Sequence, residues 1–98
     1  MAVYLVADLN ITNPEEFQKY GQRVVDIVKQ YGGRYLVRGG ESEILEGNWK
    51  PKRLTIVEFP TTEHVKRWYE SPEYQAIIGF RHRSARDHLT IISGGVKV

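Results

Sequence analysis

Every stretch of this sequence that reads as a β-strand carries apolar residues on both of its faces. Over residues 2–10, Val3, Leu5, Ala7 and Leu9 share one side, while Tyr4 and Val6 join Asp8 and Asn10 on the other. Leu54 with Ile56, and Leu89 with Ile91, likewise oppose other apolar positions. A sheet with one face in water alternates cleanly between apolar and polar. This one does not, so both faces of its sheet are expected to be covered. At 98 residues the chain is a single domain spanning residues 1–98. A domain of this size buries only about 60–65% of its unfolded surface, so a second copy of the chain is the nearest cover for the second face.

The elements between the strands are well signalled. Asn13-Pro14-Glu15-Glu16 starts a helix: Asn13 caps, Pro14 suits the first helical position, and Glu16 stands where a capping box wants it. Phe17, Tyr20, Val24, Ile27, Val28 and Tyr31 follow with amphipathic spacing, and Gly32-Gly33 ends the helix. Residues 34–38 predict a second strand, interrupted by a bulge or bend at Gly39-Gly40, with extended structure resuming over residues 43–46. After a turn over residues 47–51, residues 53–59 predict a third strand. Pro60-Thr61-Thr62-Glu63 opens a second helix with Val65, Trp68 and Tyr69 as its apolar stripe. Ser71-Pro72-Glu73 breaks and re-caps it, and the second piece carries Tyr74, Ile77, Ile78 and Arg81 on one face. Residues 87–93 form the last strand, with Gly94-Gly95 after it. The order βαββαβ predicts an α+β, ferredoxin-like fold: a four-stranded antiparallel sheet with two helices on one face.

Several function classes drop out. Without cysteine there is no disulfide, thiolate zinc site or cysteine nucleophile. A formal net charge of +2 is too balanced to imply nucleic acid or an anionic membrane as partner. The apolar runs are far shorter than the roughly 20 residues that span a bilayer, and the N-terminal residues read as a strand and not as a signal peptide. A cytoplasmic location is the expectation. RNA binding, which the βαββαβ order also allows, is disfavoured by residues 53–59. They lack the glycine-and-aromatic pattern of that fold and place Glu58 among the stacking positions.

Tyr35-Leu36-Val37-Arg38-Gly39-Gly40, the run from Leu45 through Trp49 to Arg53, Val57-Glu58-Phe59-Pro60, Trp68-Tyr69-Glu70-Ser71-Pro72-Glu73-Tyr74 and Arg81 together resemble the domain-of-unknown-function family numbered 1330. The resemblance covers nearly the whole chain. It implies membership of the dimeric α/β-barrel superfamily, whose members include cofactor-free monooxygenases, muconolactone isomerase-like enzymes and haem-handling proteins. It therefore implies a fold and a dimer, and no particular reaction. In one departure, Ser93 stands before Gly94 where a glutamate is expected from the resemblance.

Among the charges, Arg38 and Glu58 sit inside apolar strand sequence, and Arg81 lies on an apolar helix face. Buried charges need partners. Glu58 facing Arg38 and Arg81 would bind an anionic or carbonyl compound, with Glu58 as a general base and the arginines as its orienters. The alternative is an ion pair that fixes strand register or the dimer contact. Tyr69 and Tyr74 are candidates to line an apolar pocket, and His88, next to Asp87, to reach it. Trp68 is read as core, and Trp49 as an interface anchor. No histidine has metal-ligand spacing, and no cofactor motif is present. The expected function is a homodimeric small-molecule-binding protein, with a cofactor-independent enzyme and a non-catalytic accessory protein both open.

Overall fold

The computed structural model describes residues 2–93; the predicted Gly94-Gly95 pair lies outside the described residues. Its elements are β1 (Val3–Ile11), α1 (Pro14–Gln30), β2 (Arg34–Arg38), β3 (Leu54–Phe59), α2 (Thr62–Glu70), α3 (Pro72–Ser84) and β4 (Ala85–Ser93). The strands are antiparallel in the order β2-β3-β1-β4. This is the predicted ferredoxin-like sheet. One face of it, carrying Val3, Leu5, Ala7, Leu9, Val57 and Phe59, packs on Phe17, Tyr20, Val24 and Val28 of α1, Val65 and Trp68 of α2, and Tyr74 and Ile77 of α3.

The cap of α1 forms by half of the expected box. Asn13 Oδ1 accepts from the Glu16 backbone N–H at 3.3 Å. The Asn13 N–H donates instead to the Ser84 carbonyl at 3.1 Å, and the Glu16 carboxylate turns to Lys19 and Arg83. A tertiary contact thus replaces the reciprocal bond. At the other end, Gly33 N–H donates to Val28 O and Gly32 N–H to Lys29 O, the paired bonds of a Schellman motif, with Gly32 at φ 88°. A Cβ on Gly33 would lie 2.5 Å from Val28 Cγ1 and 2.9 Å from the Phe59 ring. Both neighbours are fully buried. Gly33→Ala is therefore expected to lower the urea midpoint by the equivalent of about 1–3 kcal/mol, the usual cost of overpacking.

Of the bulge or bend expected at Gly39-Gly40, the bend forms, at Gly39, while the register irregularity between β2 and β3 falls earlier, between Tyr35 and Val37. Gly39, at φ 65°, still donates to the Leu54 carbonyl and then turns the chain out of the sheet. Gly40 has neither a positive φ nor a neighbour within 4 Å of a built Cβ. Gly39→Val is expected to cost about 1–3 kcal/mol and Gly40→Val under about 0.5, compared by thermal melting. Residues 43–46 do not resume a strand. They belong to an irregular connection in which Leu45 is 91% and Trp49 66% exposed; no ladder partner meets them.

The outer face of the sheet carries Tyr4, Val6, Leu54, Ile56 and Ile92, in register across β3, β1 and β4. No helix covers it. Ile92 is 52% exposed.

Candidate functional site

Between the sheet and the helices lies a cavity of about 40 Å³, walled mainly by apolar side chains. It has room for a few water-sized groups. Two of its lining residues, Arg81 and Trp68, carry polar groups. Arg81 comes from α3, whose spacing buries Tyr74, Ile77, Arg81 and Ser84 together. Its Nη1 donates to Asp87 Oδ2 at 2.5 Å, where β4 runs back past the helix. Trp68, from α2, is 1% exposed and packs its ring 4.2 Å from that of Tyr74. The Arg81 Nε and Trp68 Nε1 donors are both buried without a partner. A buried donor left unsatisfied costs about 1–3 kcal/mol, so two on residues that line one small cavity call for an acceptor nearby.

The hydroxyls of Tyr20 and Tyr74 hydrogen-bond each other at 2.9 Å beside Arg81. Burial pushes the Tyr20 hydroxyl well above the ordinary tyrosine range. Burial likewise pushes Tyr35 up to about 12 and raises Tyr74, against the pull of Arg38 on the former and Arg81 on the latter. These groups stay neutral where a free tyrosine would ionise. A raised folded-state pKa favours the protonated fold. Its stabilisation is therefore complete below about pH 10, the unfolded value, and is lost as pH rises through the folded values, about 12 for Tyr35. Alkaline difference absorbance should show these tyrosines titrating late, together with unfolding.

Arg38 and Arg53 stand where the cavity meets an outer groove of about 590 Å³ along α1. Both project from the helix side of the sheet. Arg38 donates to the Gly21 carbonyl at 3.1 Å and stacks near Tyr35; Arg53 lies over Phe17.

The predicted site residues are divided between the two faces of the sheet. Arg38, Arg81 and Tyr74 gather on the helix side. Glu58 does not join them: strand alternation puts it on the outer face with Leu54 and Ile56. There it pairs with Arg34 at 2.9 Å, in a bridge whose side chains are 28% and 71% exposed. The expected meeting of Glu58 with Arg38 and Arg81 is thus corrected, and Arg81 takes its counter-charge from Asp87. His88 also points outward, exposed, beside Asp8 and Lys52. Tyr69 is 40% exposed on the rim of a second cleft of about 260 Å³ between α2 and β4, which shares Leu5, Trp68 and Leu89 with the cavity. Asp87, Trp68 and Arg53 were not identified as parts of the site from sequence. Arg53 had a legible signal, since it has the same strand parity as the inward Thr55 and Val57. The indole N–H of Trp68 had none, because a ring on an apolar stripe reads as core whether or not its nitrogen is satisfied.

Among the described residues no group of three or more His, Cys, Asp or Glu side chains is placed to hold a metal ion, and no helix is long and apolar enough to cross a membrane.

A family model described as "Domain of unknown function (DUF1330)" matches residues 2–95. No curated protein matches the sequence. Among solved structures, the chain is similar to RPA0582, a protein of unknown function from Rhodopseudomonas palustris. The two share 14% identity and a TM-score of 0.80, over 99% of this chain and 84% of that one. It is similar to SnoaB, a cofactor-independent oxygenase from Streptomyces nogalater, with 11% identity and a TM-score of 0.69, over 99% and 96% of the two chains. A dimeric ferredoxin-like protein of unknown function from Jannaschia is also similar, with 11% identity and a TM-score of 0.65, over 95% and 99%. At these identities the likeness shows the fold.

Proposed function

The chain belongs to the DUF1330 family, and from that premise we propose that it is a homodimeric protein that binds a small anionic or carbonyl compound in the cavity between its sheet and its helices. The observation that carries this reading is the pair of unsatisfied donors, Trp68 Nε1 and Arg81 Nε, on two residues that line the same cavity. A carbonyl or carboxylate oxygen there would accept from both. Tyr74 and Trp68 supply the aromatic wall, and Arg38 stands at the opening. Glu58 belongs to the outer face, where its pair with Arg34 helps set the β2–β3 register. Dimerisation through that face would cover Tyr4, Val6, Ile56 and Ile92, and accords with the dimeric Jannaschia neighbour.

Turnover without a cofactor is the second reading. Donors aimed at a carbonyl oxygen also stabilise the negative charge that develops on it, and the SnoaB neighbour is a cofactor-independent oxygenase.

Calorimetric titration with benzoylpropionate and phenylbutyrate, which differ by a ketone, tests the binding site. The wild type should favour the ketone at least about 5- to 10-fold, the worth of the neutral indole bond alone, with the charged Arg81 donor adding to it. Trp68→Phe, which removes the indole donor and keeps a ring, should shrink that preference. Equal binding of the two compounds by the wild type, or binding of neither at millimolar concentration, would contradict the proposal.

A further inference from the structure

Arg53 belongs to no resemblance-based role and to no ion pair. Its guanidinium, from the residue just before β3, and that of Arg38, from β2, lie on the same side of the sheet, and both border the cavity and the outer groove. Among the described residues neither has a carboxylate within 4.0 Å, which they share with Arg23 and Arg86, whereas Arg34, Arg67, Arg81 and Arg83 each have one. Two like charges bordering one neck repel, and among the described residues no carboxylate pairs with either. The chain is also shaped to keep Arg53 at this spot. A Cβ on Gly39 would lie 2.6 Å from Arg53 Nη1 and 2.8 Å from its Cζ, so the bare glycine leaves the guanidinium its seat. Asp8 Oδ1 accepts from the backbone N–H groups of Lys52 and Arg53, which fixes the start of that strand. The path inward runs past Phe17 and Gly21 of α1, residues that line both spaces.

We infer that Arg53, with Arg38, is the specificity element of the pocket. The two guanidiniums hold the anionic group of the ligand at the neck between groove and cavity, while an uncharged acceptor oxygen of the same molecule reaches the inner donors. The ligand class is then a monoanionic carboxylate that also carries a carbonyl or hydroxyl oxygen, with an apolar remainder in the groove. Arg81 does not serve the anion, because Asp87 already neutralises it. This inference rests on the binding proposal above and adds the charge requirement to it.

The test compares benzoylpropionate with benzoylpropionamide, its uncharged counterpart, by calorimetry on the wild type, Arg53→Gln and Arg38→Gln, each checked for a native circular-dichroism spectrum. The wild type should prefer the acid about 10- to 100-fold, the range of charge-assisted hydrogen bonds, and the preference should shrink with added salt. Arg53→Gln should reduce it to about 3-fold or less. If Arg53→Gln fails to fold, the salt dependence and Arg38→Gln carry the same test, with the same loss expected. An undiminished acid preference in the folded arginine variants overturns this inference and leaves the binding proposal standing, as does equal binding of acid and amide by the wild type. Binding of none of the compounds overturns both.

Discussion

Asp87→Ala is expected to lower the stability of the protein by about 3–5 kcal/mol, read as a shift of the urea midpoint at neutral pH. The Arg81 side chain is 4% exposed and cannot discard its charge. Burial works against that charge, but the hydrogen bond to Asp87 and the negative charge of its carboxylate offset it, and Arg81 stays protonated. Removing Asp87 strands a guanidinium in the core without a counter-charge, beside Tyr20, Tyr74 and the His82 ring. The double variant Arg81→Met with Asp87→Ala should recover most of the loss, since it removes both charges together. A small effect of Asp87→Ala would mean that water reaches Arg81, and the cavity would no longer count as enclosed.

Ile56→Asp is expected to convert a dimer to a monomer. Ile56 pairs in register with Val6 at the middle of the outer sheet face. A two-fold interface through that face meets the substitution twice. One buried, unpaired carboxylate costs about 3 kcal/mol or more, over a hundredfold in dissociation constant. Light scattering at micromolar concentration should give twice the chain mass for the wild type and the chain mass for the variant. If the face were simply solvated, Ile56→Asp would leave the mass unchanged. The exposed Glu58–Arg34 pair makes a useful contrast. Glu58→Gln should cost under about 1 kcal/mol, as surface bridges do, and not the several kcal/mol expected of a buried pair.

The fold was legible in the sequence because its signals are local. The Asn13-Pro14 and Ser71-Pro72 caps, the Gly32-Gly33 stop and the apolar spacing of α1 each act within one or two turns of chain. The βαββαβ order then leaves few topologies. The two-sided strands announced an uncovered sheet face. What sequence did not give was which charge meets which. Glu58, Arg38 and Arg81 were grouped because each sits among apolar neighbours. Yet Glu58 and Arg38 lie on opposite sides of the sheet, and the register shift between Tyr35 and Val37 is what turns Arg38 to the helix side. Without that shift, simple alternation from Arg34 would put Arg38 on the same face as Arg34 and Glu58. Arg81 finds Asp87 only because α3 passes directly into β4 at Ala85. Such pairings depend on tertiary geometry that strand and helix periods do not encode.

A ligand oxygen that takes up the Trp68 indole N–H can be seen directly, and the chain carries its own control. It has two tryptophans; Trp68 is 1% and Trp49 66% exposed. In a proton–nitrogen correlation spectrum each gives one indole signal. On titration with benzoylpropionate, the Trp68 signal should move downfield with saturation while that of Trp49 stays in place. Calorimetric binding with a stationary Trp68 signal, or movement of Trp49 alone, would contradict the account.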